Sequence, residues 1–224
     1  MSIPELESEL LRAQERLSGT MKRHAQTHMV QVLSLEELDA ARDAVLQAER
    51  NLAAAKSEPY AVPIEFPVFW DTGAPLPYLL KNDDQTFLTF FVRKIDPDWD
   101  GAYVTVRRPN SNLGEKLAVV EFERCVCTKM GTPNDEVLHG HPLDGKGLEG
   151  YQPMLVKNSL WLKELETINS VHSCYRAEVW RDLNHYILPF HDCMFECVAR
   201  GFKVEQFEMP LPGLLAEICK RLVR

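Results

Sequence analysis

Apolar residues recur at intervals of three and four along the first part of the chain. Ile3, Leu6, Leu10, Ala13 and Leu17 form one such series, with Glu, Gln and Arg between them. This spacing predicts an α-helix with a single apolar stripe. A second series, Leu38, Ala41, Val45, Ala48, Leu52 and Ala55, predicts another helix. Ser34-Leu35-Glu36-Glu37 stands at its start as a capping box, in which Ser34 and Glu37 satisfy each other's backbone N–H groups. Pro59, Pro63 and Pro67 end it, since proline removes a helical donor and clashes with the preceding turn. Two such helices are expected to fold back antiparallel, with the turn near Val30–Leu33 and alanines letting the backbones approach closely. The hairpin buries too little alone, so it must pack on the following domain or on a second copy.

From Ile64 the pattern changes to period two. Thr86–Arg93, Ala102–Arg108 and Lys116–Thr128 are rich in β-branched and aromatic residues and read as strands. Asp96-Pro97-Asp98-Trp99-Asp100-Gly101 and Pro109-Asn110-Ser111-Asn112-Leu113-Gly114 separate them as turns. Short connections of this kind imply an antiparallel meander. Gly131–Pro153 reads as a long loop, Ser159–Ser170 and Arg176–Leu183 as short helices, and His185–Phe190 with Phe195–Phe202 as a hairpin. Leu214–Val223 reads as a closing helix. The expected class is α+β: an N-terminal antiparallel helical hairpin, then a mainly antiparallel sheet, open or partly closed into a barrel. The expected divisions are residues 1–57 for the hairpin, 58–67 for a Pro-rich linker and 68–224 for the α+β domain.

Composition narrows the partners. The 224 residues carry a formal net charge of −8, with 45% hydrophobic and 26% charged residues. That balance argues against non-specific nucleic-acid binding, which depends on Lys and Arg neutralising phosphates, and against an anionic membrane surface. No segment approaches the roughly 18–20 continuous apolar residues that span a bilayer. Met1-Ser2-Ile3-Pro4-Glu5 lacks the basic and apolar regions of a signal peptide. A cytoplasmic location is expected, with the six cysteines (125, 127, 174, 193, 197 and 219) as free thiols.

The candidate chemistry lies around the second hairpin. A turn centred on Asp192-Cys193 puts Tyr186, Leu188, Phe190, Phe195, Cys197 and Ala199 on one face. The other carries His185, Ile187, His191, Met194, Glu196, Val198 and Arg200. In the preceding loop, Asn134-Asp135-Glu136 and His139-Gly140-His141-Pro142 concentrate carboxylates and imidazoles. If the loop folds over the polar face, His139, His141 and His191 become candidate ligands for a divalent metal such as zinc, manganese or iron, with Glu196 or Asp192 as the carboxylate. Such a centre activates water for hydrolysis. Without metal, His191 with Asp192 or Glu196 is a candidate oriented general base. Asp135, Glu136, His185 and Arg200 are candidate ligand-binding residues. The simpler reading is a structural loop over a solvated strand face, because H-x-H has no fixed-spacing specificity.

Other matches carry less. Gly145-Lys146-Gly147-Leu148-Glu149-Gly150 has the letters of a dinucleotide loop, but no strand precedes it and no helix opens in it. Asp96–Gly101 starts like a calcium loop, yet Arg107 stands where a bidentate Glu belongs. Cys125-Val126-Cys127 lacks the knuckle spacing of structural zinc. Cys193, beside His191 and Asp192, is the most suggestive thiol. His24 and His28 share a helix face that reads as polar surface.

Two functions follow. The first is an interaction or ligand-binding protein whose helical hairpin mediates self-association or binds a protein partner. The second is a metal-dependent or His-assisted hydrolase built on the His139/His141 loop and the His191–Glu196 hairpin.

Overall fold

A computed structural model describes residues 1–26, 32–93 and 113–223. In chain order the elements are α1 (Ile3–Gln26), α2 (Val32–Ala55), β1 (Tyr60–Pro63), β2 (Tyr78–Lys81), β3 (Thr86–Phe91), β4 (Glu115–Glu123) and β5 (Cys127–Gly131). A 3-10 turn follows at Asp135–Gly140. Then come β6 (Met154–Lys157), α3 (Leu160–Asn169), α4 (Ala177–Arg181), β7 (Asn184–Pro189), β8 (Met194–Ala199), β9 (Gly201–Met209) and α5 (Leu211–Leu222). The class is α+β: N-terminal helices, then two antiparallel sheets with helices, and no closed barrel among the described residues. The expected strand at 102–108, the acidic turn at 96–101 and the first half of the expected hairpin turn, residues 30 and 31, lie outside the described residues.

The chain divides into two compact units. The first comprises residues 1–62, 141–149 and 156–160; the second comprises residues 63–140, 150–155 and 161–224.

In the first unit, α1 and α2 pack antiparallel along a seam of Leu6, Ala13 and Thr20 with Leu38, Val45 and Ala48, all buried. Ion pairs tie both ends of the hairpin: Lys56–Glu7 at 2.8 Å and Arg23–Glu37 at 3.8 Å. Helix α2 begins at Val32, two residues before Ser34, so the capping-box position falls inside the helix. The Gly145–Gly150 segment is a structural clamp. Arg50 donates from Nε to the Ala61 carbonyl at 2.9 Å and from Nη2 to Gly147 O at 3.0 Å and Glu149 Oε1 at 2.5 Å. Glu49 accepts the Gly147 N–H at 2.9 Å, and burial pushes its carboxyl pKa up. Gly147 has φ +78, and a Cβ there would sit 2.5 Å from Arg50 Cγ and 2.7 Å from the Ala61 carbonyl oxygen. The residue is glycine because both the backbone region and the space demand it.

The second unit is layered. One sheet runs β2-β3-β4-β9; in the other, β6, β7, β8 and β5 lie side by side. Every residue of β3 is buried, as expected of a strand covered on both faces. One face of that sheet, with Phe87, Phe91, Leu117 and Val119, packs under Leu211, Leu214 and Ile218 of α5. The opposite face, with Leu88, Phe90, Val120 and Phe122, meets Tyr186 and Leu188 of β7, Phe190 just after it, and Phe195 and Cys197 of β8. Phe122–Phe195 and Phe90–Phe190 centroids lie 5.2 and 5.4 Å apart across this layer. Beyond the second sheet, Val198 packs against Trp180 and Leu183, with Trp161 and Leu165 of α3 alongside.

Three expectations change. The single strand expected over Lys116–Thr128 is broken at Arg124 (φ +52), so β4 and β5 enter different sheets. Strand β9, which the pattern does not announce, pairs with β4 along its whole length, from Glu115↔Met209 to Glu123↔Gly201. Phe202 and Val204 face the layer between the sheets, whereas Phe207 and Met209 face α5; this mid-strand change of face hides the alternation. Helix α5 starts at Leu211, with Pro212 in its first turn, where proline's missing N–H has no helical partner to lose.

Gly147→Ala is expected to destabilise the protein by about 2 kcal/mol or more, combining positive-φ strain with a backbone clash. Phe195→Ala should cost about 3–5 kcal/mol through the cavity it leaves. Denaturant titration of each variant checks both values.

Candidate functional site

The β7–β8 hairpin pairs Tyr186 with Cys197, Leu188 with Phe195 and Pro189 with Met194. The turn is therefore centred between His191 and Asp192, one residue earlier than expected. The apolar face keeps its expected membership, because a shift of two along the partner strand preserves side-chain parity. Phe190 N–H donates to Cys193 O at 2.8 Å to close the turn, which leaves His191 at its tip.

The preceding loop reaches this tip through two residues. Asp135 N–H donates to His191 O at 3.0 Å, and Tyr151 N–H donates to Pro189 O at 3.2 Å. Their side chains then converge on the imidazole. The Tyr151 hydroxyl donates a short hydrogen bond to Asp135 Oδ2. His191 Nδ1 lies 2.9 Å from the same carboxylate oxygen and 2.8 Å from the tyrosine oxygen. With the tyrosine proton committed to Asp135, we assign the remaining proton to Nδ1, donating toward the carboxylate. That tautomer leaves Nε2 as the basic atom, 3.9 Å from Asp192 Oδ1, on a side chain 40% exposed. The Tyr151 hydroxyl, and after it His191, hold the Asp135 pKa below the usual carboxylate value. A carboxylate that orients an imidazole through Nδ1 leaves Nε2 able to take a proton from a neighbouring group.

The other expected residues separate into different environments. His185 Nε2 lies 2.8 Å from Glu196 Oε2, and their side chains are only 6% and 15% exposed. The Trp161 ring stands edge-on to His185 at 5.0 Å, and Lys129 Nζ lies 3.8 Å from the Trp161 centroid. Lys129 is also the cross-strand partner of Glu196. This is an internal polar pair capped by a cation and an indole, and Glu196 engages His185 rather than His191. Arg200 donates to Glu123 Oε2 at 3.1 Å on the surface. Glu136 and His139 are exposed in the 3-10 turn. His141 belongs to the first unit, where its Nδ1 accepts the Leu143 N–H at 3.2 Å.

No group of three or more His, Cys, Asp or Glu side chains able to hold a metal occurs among the described residues. The loop does fold onto the hairpin, but Asp135 and Tyr151 make the contact. Tyr151 was not marked by the sequence: it follows a glycine run and its φ is +60, a conformation with no local pattern behind it.

The thiols also differ from expectation. Burial, and then Asp192, push Cys193 above its usual pKa. Cys125, just after the Arg124 corner, is lowered to about 7, chiefly by a hydrogen bond from the Cys197 thiol. Cys197 is buried and raised well above the usual value. The poised thiol is Cys125.

The hairpin of the first unit holds a groove of about 860 Å³. Arg12, Glu15, Arg16, Gly19 and Arg23 border it from α1, and Glu37, Ala40, Ala41 and Ala44 from α2. No helix among the described residues is long and apolar enough to cross a membrane.

Because folding lowers the Asp135 pKa, its contribution to stability is complete above the unfolded value of about 3.9 and is lost as pH falls through the lowered value. Tyr151→Phe removes the largest cause, so the Asp135 titration should move upward; carboxyl chemical shifts followed by NMR against pH will show it, and an unmoved midpoint would contradict the network. Among the thiols, alkylation of Cys125 should accelerate as pH rises through about 7, while Cys193 responds only at higher pH; residue-resolved mass spectrometry measures both.

No family model matches this chain, and neither a curated protein nor a solved structure matches it.

Proposed function

We propose that the protein is an interaction protein whose helical hairpin associates with another helical surface, in a second copy or in a protein partner. The observation that carries this reading is the groove between α1 and α2. Its bordering residues Arg12, Arg16, Arg23, Glu37 and Ala40 are all exposed, and the small side chains on the α2 side leave room for an approaching helix. Burying this floor and pairing its charged borders gives association a hydrophobic component and an orientation.

A second reading has its own support: the Asp135–Tyr151–His191 arrangement suits His-assisted proton transfer, with Nε2 as the acting atom. In that case the wild-type chain would hydrolyse a member of an ester, amide and phosphoester panel, and His191→Gln would lower the rate by about 100-fold or more. Equal rates in the two proteins would remove this reading.

For the interaction reading, Ala40→Trp fills the groove at an exposed position. The variant should keep the wild-type melting temperature and lose association by about tenfold or more. Sedimentation velocity over a concentration series measures the loss, and unaltered association would show that the groove is not the contact.

A further inference from the structure

Cys125 and Cys197 come from different parts of the strand framework and meet in one layer. Cys197 lies on the inward face of β8, fully buried in the aromatic layer between the two sheets. Cys125 is half-buried and packs against the same layer. It gets there through the corner at Arg124, where the chain has left β4 and not yet entered β5. The Cys197 thiol donates a hydrogen bond to the Cys125 sulfur. The nearby cysteines of the sequence are held elsewhere. Cys127 pairs with Val198 and shares its outer face, whereas Cys197 faces inward opposite Thr128. Cys193 precedes Cys197 by four residues, roughly 13 Å along an extended strand.

Two further groups complete the surroundings of Cys125. Lys81, Thr86 and Phe122 are direct cross-strand neighbours at one end of the sheet. They therefore share a face, and Phe122 identifies it as the one turned toward the other sheet. The buried Thr86 hydroxyl donates to the Cys125 sulfur, and the exposed Lys81 ammonium favours its thiolate. Burial opposes that charge, but the donors outweigh it. When protonated, Cys125 instead donates to the Cys127 carbonyl at 3.5 Å. The result is a partly accessible sulfur whose thiolate is favoured, with a second thiol directly behind it and shut off from water. Reactive cysteines occupy electropositive, partly exposed surroundings, and redox-active ones stand next to a resolving thiol.

From this arrangement we infer that Cys125 and Cys197 form a peroxide-reactive dithiol site, in which Cys125 is the attacking sulfur and Cys197 closes a disulfide between the two sheets. The substrate class is a hydroperoxide. The Cys125 thiolate attacks the terminal oxygen, the O–O bond breaks, and the sulfur becomes a sulfenic acid. The departing alkoxide, or hydroxide from hydrogen peroxide, takes a proton from water. The Cys197 sulfur then attacks the sulfenic sulfur, the S–O bond breaks, and the hydroxyl leaves with the Cys197 proton as water. Two thiols together lose two electrons, and one hydroperoxide is reduced to an alcohol and water. The burial of Cys197 sets the order of events: its thiol keeps its proton and does not compete for the oxidant, yet it touches the sulfur it must attack. Arg124 and Cys125 belong to neither β4 nor β5, so the sulfurs can close to bonding distance without undoing a strand ladder. This chemistry is independent of both the helical hairpin and the His191 network.

The test treats the full-length, fully reduced chain with equimolar hydrogen peroxide and maps its peptides under non-reducing conditions. A link between the Cys125 and Cys197 peptides should be the main product, with the exposed Cys174 and Cys219 still free. Its rate of formation should rise as pH passes through about 7 and then level off. Lys81→Met should move that midpoint upward. In Cys197→Ala the sulfenic acid cannot be resolved, so dimedone should label Cys125. Cys125→Ser should slow peroxide consumption by about tenfold or more. Where the buried Cys197→Ala fails to fold, mapping of the wild-type chain decides alone. Oxidation that reaches Cys174 or Cys219 before Cys125 overturns the inference, as does a chain whose thiols all persist. Cys125 carried through to sulfinic acid with Cys197 left free overturns it too, and so do links formed chiefly between other cysteines or between chains.

Discussion

Strands β3 and β4 are covered on both faces, and the rest of the second unit is arranged around that burial. Phe87 and Phe91 look toward α5, Leu88 and Phe90 toward the facing sheet, so removing either cover would bare a run of large apolar side chains. The aromatic layer between the sheets also fixes the attitude of β7 and β8. Their inner residues are locked among Phe90, Phe122 and Trp70. The tip of that hairpin therefore has a defined position, to which a loop can attach.

Two imidazole–carboxylate pairs sit on this one hairpin, and their surroundings give them different characters. His185 and Glu196 lie under Trp161, α3 and α4, where the pair satisfies polar groups that burial would otherwise leave costly. His191 and Asp135 stand at the turn, partly open to water, with a tyrosine to complete the carboxylate's hydrogen bonds. Only the second leaves an imidazole nitrogen accessible to another molecule. The distinction comes from what covers each pair, since the residue types are the same apart from Asp and Glu.

That dependence explains what the sequence could and could not reveal. Helical stripes, the apolar face of the β7–β8 hairpin, the short helices α3 and α4 and the α+β class rest on local periodicity, and periodicity is written along the chain. The corner at Arg124 and strand β9 were not legible, because a positive φ at a non-glycine residue and a mid-strand change of face leave no periodic mark. Asp135 and His191 were recognisable as candidates by chemistry alone. Their companion Tyr151, and the engagement of Glu196 with His185 instead of His191, depend on long-range packing that no spacing encodes.

The pairing of β4 with β9 also bears on how the chain emerges during synthesis. Residues 115–123 must wait for residues 201–209 before their outer edge is satisfied, and the helix that covers Leu117 and Val119 follows later still. While residues 124–209 are being made, the outer edge of β4 is an unpaired, apolar sheet edge, the kind of surface that recruits neighbouring nascent chains. The interval between making β4 and making β9 is thus the period of greatest exposure to misassembly, and a binder that shields extended apolar segments co-translationally would act there.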